Sequence, residues 1–201
     1  MFPIADQRDQ VIAFGGRILN KGEPKYLNSR DTPLFDKRRT LYNYARARQT
    51  NHDQREVIVA EGYMDVIALS RGGFPAAVAP LGTAVTDEQI EALWKLAEEP
   101  VFCFDGDNAG QRAAKRAAER ALPLLKPGKS IRFAFLPEGQ DPDSLITEQG
   151  PSALRTILNA TQPLAEVVWD IERQASPTDT PERMAGLKLR LRQQASRIAD
   201  P

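Results

Sequence analysis

The sequence has a single cysteine, a single histidine and no long apolar run. One cysteine excludes a disulfide scaffold, and Cys103 with His52 cannot make a Cys/His zinc site. Cys103 lies inside an apolar run and reads as a small buried hydrophobe. His52 reads as a loop residue, and no neighbouring motif makes it half of a Ser-His or Cys-His catalytic pair. No stretch approaches the roughly 20 apolar residues of a membrane span. The N-terminus has no signal-peptide pattern, so the chain is expected inside the cell, in the cytoplasm. Excess charge of one sign is also missing, because 27 Lys/Arg balance 27 Asp/Glu.

That balance hides an uneven distribution. Residues 1–55 carry 11 Lys/Arg against 6 Asp/Glu, and residues 56–150 carry 9 against 15. Residues 151–201 are nearly neutral, with 7 against 6. A basic segment feeding an acidic one suits a polyanion gripped on one side and a metal held on the other, although two solvated surfaces would give the same counts. At 201 residues with 41% hydrophobic content, the chain can build one sizeable core with small appendages.

Five acidic residues follow short apolar runs. Glu61 comes after Val57-Ile58-Val59-Ala60, and Asp105 and Asp107 after Val101-Phe102-Cys103-Phe104. Asp141 and Asp143 come shortly after Ile131-Arg132-Phe133-Ala134-Phe135. Such β-prone runs make buried parallel strands, and helical patterns lie between them, so the order reads βαβαβ. In a parallel sheet the carboxyl ends share one edge, where ligands bind. The acids should converge there, and carboxylates brought together repel unless a cation or shared protons hold them.

Around this centre the chain falls into three parts. Residues 1–55 form a small basic α+β segment, beginning with a β-hairpin through Ile4 and Val11, with a helix over 41–48. Residues 56–161 form the parallel-sheet domain. Residues 162–201 form a helical appendage, with helices over 164–174 and 182–198. An opening directly in a strand and an end at Pro201 without a clear finish lead to the expectation of a fragment. Thr86 and Gln89 make a capping box for the helix that carries Ile90, Leu93 and Trp94, and Asp143 is expected to cap a short helix from Ser144.

Aspartates two apart at a strand end project to one side if the backbone stays extended. All-oxygen ligation without histidine or cysteine suits magnesium or manganese rather than zinc. Such a site supports phosphoryl transfer, with Glu61 completing the metal site or acting as general acid/base. Each Asp-x-Asp taken alone is also an ordinary turn and helix cap; their accumulation at successive strand ends favours function.

Longer strings are narrower. Phe14-Gly15-Gly16-Arg17, Pro24-Lys25-Tyr26-Leu27-Asn28-Ser29, Glu61-Gly62-Tyr63-Met64-Asp65-Val66, Asp105-Gly106-Asp107 and Asp141-Pro142-Asp143 occur in this order. Together they resemble the catalytic core of bacterial DnaG-type DNA primase, built on a Toprim domain. The resemblance implies a DNA-dependent RNA polymerase that makes short RNA primers on single-stranded DNA from nucleoside triphosphates. It implies a metal-binding acidic centre of Glu61, Asp65, Asp105, Asp107, Asp141 and Asp143, with Glu61, Asp105 and Asp107 catalytic. It also implies nucleotide and template binding by Arg17, Lys25, Tyr26, Asn28 and Lys37. The family's replicative-helicase partner is engaged through a domain that this sequence does not contain, and its zinc-binding domain has no counterpart here. Two alternatives stay open: another Toprim-type metal-dependent enzyme, or a non-catalytic nucleic-acid-binding module.

Overall fold

A computed structural model of the chain describes residues 1–19, 23–50, 56–82 and 84–199. His52, expected in a loop, lies outside them, as does Thr83. The basic segment opens with an antiparallel sheet of β1 (Phe2–Ala5), β2 (Val11–Arg17) and β3 (Tyr26–Asn28). The expected hairpin is therefore present, and β3 extends it along the Gly15–Arg17 half of β2.

The second sheet has six strands: β4 (Leu41–Tyr42), β5 (Ile58–Val59), β6 (Ala77–Pro80), β7 (Val101–Gly106), β8 (Arg132–Glu138) and β9 (Gln162–Pro163). Their spatial order is β4-β6-β5-β7-β8-β9. The four middle strands are parallel, as the apolar runs require, and the outer two are antiparallel. Between them lie α2 (Tyr63–Arg71), α3 (Asp87–Leu93) and α4 (Asn108–Ala121), preceded by α1 (Tyr44–Thr50). The chain ends in α5 (Pro142–Gln149), α6 (Pro151–Asn159), α7 (Leu164–Gln174) and α8 (Pro181–Ala195).

Strand alternation distributes side chains to two helical layers. Val57, Val59, Phe102, Phe104 and Phe133 pack with α3, α4 and α7, while Ile58, Cys103, Ala134 and Leu136 pack with α2, α5 and α6. Phe102, Phe104, Phe133 and Phe135 stack as a ladder with centroids 6.1–6.3 Å apart. Opposite this ladder α4 buries mainly alanines, Ala114, Ala117, Ala118 and Ala121, so a helix of small residues lies close against large rings. Cys103 is buried within the other layer, and burial pushes its thiol up to about 12.

Two expectations change in the structure. The helix expected over 41–48 begins instead with β4, and α1 starts only at Tyr44. Asn43 between them takes φ 64°, and its side-chain amide donates to Ala77 O at 2.8 Å, which pins the turn to the edge of the sheet. The appendage over 162–201, expected to be helical, opens instead with β9 on the β8 edge; Pro163 fits there because an edge strand has an N–H position that needs no partner. Leu41 and Tyr44 from the first segment, and Leu164 and Val167 from the last, enter the main core.

Among the described residues no helix is long and apolar enough to cross a membrane. The buried Glu172 of α7 accepts from Arg190 Nε at 3.0 Å and Gln194 Nε2 at 2.7 Å, which fastens α8 onto α7. Glu172→Ala leaves Arg190 and Gln194 without that acceptor. The expected loss is about 2 kcal/mol in denaturant unfolding, with unchanged circular dichroism in the native baseline.

Candidate functional site

The first crossover runs from β5 to the β6 side, and the chain then returns to place β7 on the opposite flank of β5. Their carboxyl ends form the point where strand order reverses, the usual ligand crevice of an open α/β sheet. Glu61 follows β5 and Asp105 lies near the end of β7, so the two meet at this point. The backbone N–H of Asp105 donates to Glu61 Oε1 at 3.3 Å. Residues 44 apart in sequence are thereby adjacent for a topological reason.

The neighbouring strand is brought in through Gly106. A Cβ at Gly106 would overlap the Pro137 carbonyl, so only glycine admits this approach of the loop after β8. Gly106 N–H donates to Gln140 O at 3.1 Å, and Gly139 N–H donates to Gly106 O at 3.3 Å. The next residue is Asp141, which is how the second Asp-x-Asp reaches the first. The expected cap is corrected here. Asp141, not Asp143, caps α5, accepting from Ser144 N–H at 2.7 Å; Pro142 fits the first helical position, where no N–H partner is needed. Asp143 stands in the first turn.

The basic sheet closes the other side. Arg17, Lys25, Tyr26 and Asn28 face Glu61, Asp65, Asp105, Asp141 and Asp143 across one cleft of about 530 Å³. Arg17 and Lys25 lie 5.7 and 5.9 Å from the Tyr26 ring centroid, within cation–π range. Two of the expected residues lie off this lining. Lys37 is 3.8 Å from Asp31, and its carbonyl accepts from Gln89 Nε2 at 3.0 Å. Asp107 is exposed and caps α4, accepting from Gly110 N–H at 2.7 Å; it acts on Glu61 through charge. Tyr63, Leu81 and Gly82 also line the cleft. Tyr63 belongs to the Glu61-Gly62-Tyr63-Met64-Asp65-Val66 string, but only tertiary packing reveals its contacts.

Like charge and burial raise the acids together. Burial, then the charges of Glu61, Asp65, Asp141 and Asp107, push Asp105 up to about 7. Burial and Asp141 push Asp65 up to about 6, against the N–H of Gly62 that favours its charged form. Glu61 is also raised by burial and by Asp107, while Arg116 on α4 opposes the shift. Asp105 Oδ1 is buried without a hydrogen-bond partner among the described residues, and a carboxylate oxygen in that condition calls for a cation or a proton. Hard oxygen donors of this kind fit a divalent cation. Among the described residues, however, no three His, Cys, Asp or Glu form a ready-made metal cage. The expected cluster is therefore looser than the sequence implied, with Asp65, Asp107 and Asp141 committed to helix starts.

Stability should follow these shifts. Asp105 keeps its proton in the folded chain to about pH 7, whereas the unfolded carboxyl loses it near its ordinary value of 3.8. The folded state then binds more protons between these limits, so this group lowers stability as pH rises through that window. Asp105→Asn should raise the melting temperature at pH 8 more than at pH 5. A divalent cation should raise the unsubstituted chain's melting temperature at pH 8 and leave that of Asp105→Asn nearly unchanged.

Two family models match the sequence: the Toprim domain over residues 55–135, and the DNA primase catalytic core, N-terminal domain, over residues 1–48. A DNA primase of Pseudomonas aeruginosa is 55% identical over 167 residues, covering 83% of this chain and 25% of that protein. The chain thus spans about a quarter of that curated relative's length. The crystal structure of a DNA primase domain from Pseudomonas aeruginosa superposes with a TM-score of 0.94 at 48% identity, covering all of this chain and 63% of that one. A structure of the DnaG primase catalytic domain bound to single-stranded DNA gives 0.91 at 40% identity, covering 99% and 64%. Toprim domains bind divalent metal in general, in keeping with the hard donors on this cleft. By sequence match and by fold, the chain belongs to the bacterial DnaG-type DNA primase family, along the stretch that corresponds to its catalytic core.

Proposed function

We propose that the chain forms the centre of a DNA-dependent RNA polymerase that makes short primers on single-stranded DNA from nucleoside triphosphates. The observation that carries this reading is the single cleft in which Arg17, Lys25 and Tyr26 face Glu61 and Asp105. Cations beside an aromatic ring suit phosphates and stacked bases. Carboxylates opposite them suit the metal side of a triphosphate. Single-stranded DNA bound to a solved relative supports the same partner for this chain.

In this reading residues 1–55 serve as the nucleotide- and template-binding part, 56–161 as the catalytic Toprim part and 162–201 as a helical subdomain. Arg17 and Lys25 hold phosphates, and Tyr26 offers its ring to a base. Glu61, Asp65, Asp105, Asp141 and Asp143, with Asp107 at the rim, are the carboxylates that would hold magnesium or manganese. When bound, the metal would neutralise triphosphate charge and stabilise departing pyrophosphate. Glu61 stands on the strand-order reversal with its carboxyl raised, which suits it to accept the proton of the attacking hydroxyl or to complete the metal site. For the whole protein, the replicative helicase is the expected partner and the cytoplasm, at the nucleoid, its place of work.

The test is manganese-dependent binding of a labelled nucleoside triphosphate to the 201-residue chain, beside Asp105→Ala/Asp107→Ala. Binding should require metal and fall at least tenfold in the double variant, while single-stranded DNA binding at low salt stays within twofold. Equal, metal-independent binding by both proteins would overturn the assignment and favour a binding module.

A further inference from the structure

Asn28 lies in the sequence string that points to nucleotide or template contact, yet its side chain is turned to a different task. Its Nδ2 donates to Leu81 O at 2.8 Å, and its Oδ1 accepts from the Tyr63 hydroxyl at 2.6 Å. The amide orientation is fixed by chemistry. A carbonyl can only accept, so nitrogen must face Leu81 and oxygen must face Tyr63.

Those two partners are the Toprim side of a small third core. It comprises Ile4, Ala13 and Phe35 from the basic segment, with Tyr63 and Leu81 from beyond β5. Asn28 therefore bonds both residues by which the parallel-sheet domain enters this core. Tyr63 is wedged there on several sides. Its ring stacks on Phe2 at 4.7 Å and meets Tyr42 edge-on at 4.7 Å. A Cβ at Gly15 would stand only 2.6 Å from it, so β2 lies directly over the ring. Tyr63 is two residues past Glu61, Leu81 immediately precedes Gly82 on the cleft wall, and Asn28 is two past Tyr26.

We infer that Asn28 is a positioning residue, which with the Tyr63 hydroxyl and the Leu81 carbonyl clamps the Arg17–Lys25–Tyr26 surface at a fixed separation from Glu61, rather than a direct ligand of template or nucleotide. The clamp rests on the polymerase reading above for its catalytic meaning but not for its existence. A triphosphate reaching from the cations to the carboxylates needs that separation to be set beforehand, whereas a strand held only by the basic surface does not.

The experiment is a double-mutant cycle in the full 201-residue chain with Asn28→Ala, Tyr63→Phe and both. Tyr63→Phe keeps the ring contacts and removes one hydroxyl. Each single change should weaken manganese-dependent nucleoside triphosphate binding about tenfold, and the double should be no weaker than either. Metal-free binding of single-stranded DNA should stay within twofold. A direct ligand gives the opposite pattern, in which Asn28→Ala weakens binding, Tyr63→Phe is silent and the effects add; that result overturns the clamp. Amide hydrogen exchange reports on the clamp without any triphosphate. Both variants should speed exchange at residues 14–17 and 81–82 and leave residues 101–104 and 133–136 unchanged. Unchanged exchange at 14–17 and 81–82 would overturn the clamp even if the polymerase reading held. Accelerated exchange with no triphosphate binding by any protein would uphold the clamp and count against the polymerase reading alone.

Discussion

The backbone pairing of β5 with β7, Ile58 against Val101 and Val59 against Phe102, fixes where charge accumulates. Two parallel strands in register must end side by side, so Glu61 and Asp105 are neighbours whatever their mutual repulsion. The repulsion is resisted by packing. Val57, Val59, Phe102, Phe104 and Phe133 are almost wholly buried against α3, α4 and α7, and each large apolar side chain contributes roughly 1.5–3 kcal/mol on burial. A core of this size can hold a few carboxyls at its rim whose pKa values burial and like charge raise.

Glycines then decide how closely other elements approach that edge. Gly106 lets the Pro137–Gln140 loop lie on β7, and this contact delivers Asp141. Gly15 lets β2 lie on the Tyr63 ring, and this contact delivers Arg17 and Tyr26 to the opposite wall. The acidic and basic halves of the cleft are assembled by the same device, a missing Cβ where two backbones or a backbone and a ring meet. Helix starts do secondary work in the same place. Gly62 N–H, Gly110 N–H and Ser144 N–H each occupy an oxygen of Asp65, Asp107 and Asp141, so these carboxylates are oriented but not gathered into a cage.

Much of this was legible in the chain. The parallel strands follow from short runs buried on both faces, and the hairpin from its alternation. The Thr86–Gln89 capping box forms as its spacing dictates, with Thr86 Oγ1 accepting from Gln89 N–H at 3.2 Å. Less legible were elements that depend on a distant partner. A two-residue strand such as β4 or β9 has no periodicity of its own and exists only because β6 or β8 offers a free edge. Asp141 and Asp143 are equivalent by type, and the cap went to Asp141 because Pro142 occupies the first helical position. Lys37 and Asn28 share the basic segment with Arg17 and Lys25, yet Lys37 turns to Asp31 and Asn28 bridges to Tyr63 and Leu81.

The sequence by itself determined the parallel strands and the helices between them, the acids at the strand ends, the basic lead-in and the motifs that carry the family resemblance. These are local properties, set by side-chain periodicity, turn residues and strings of contiguous residues. Only the tertiary structure decided which charges face one another, how tightly, and which polar groups are already engaged. Those facts depend on crossover direction, on the close approaches at Gly15 and Gly106, and on contacts between residues tens of positions apart, which no local pattern encodes.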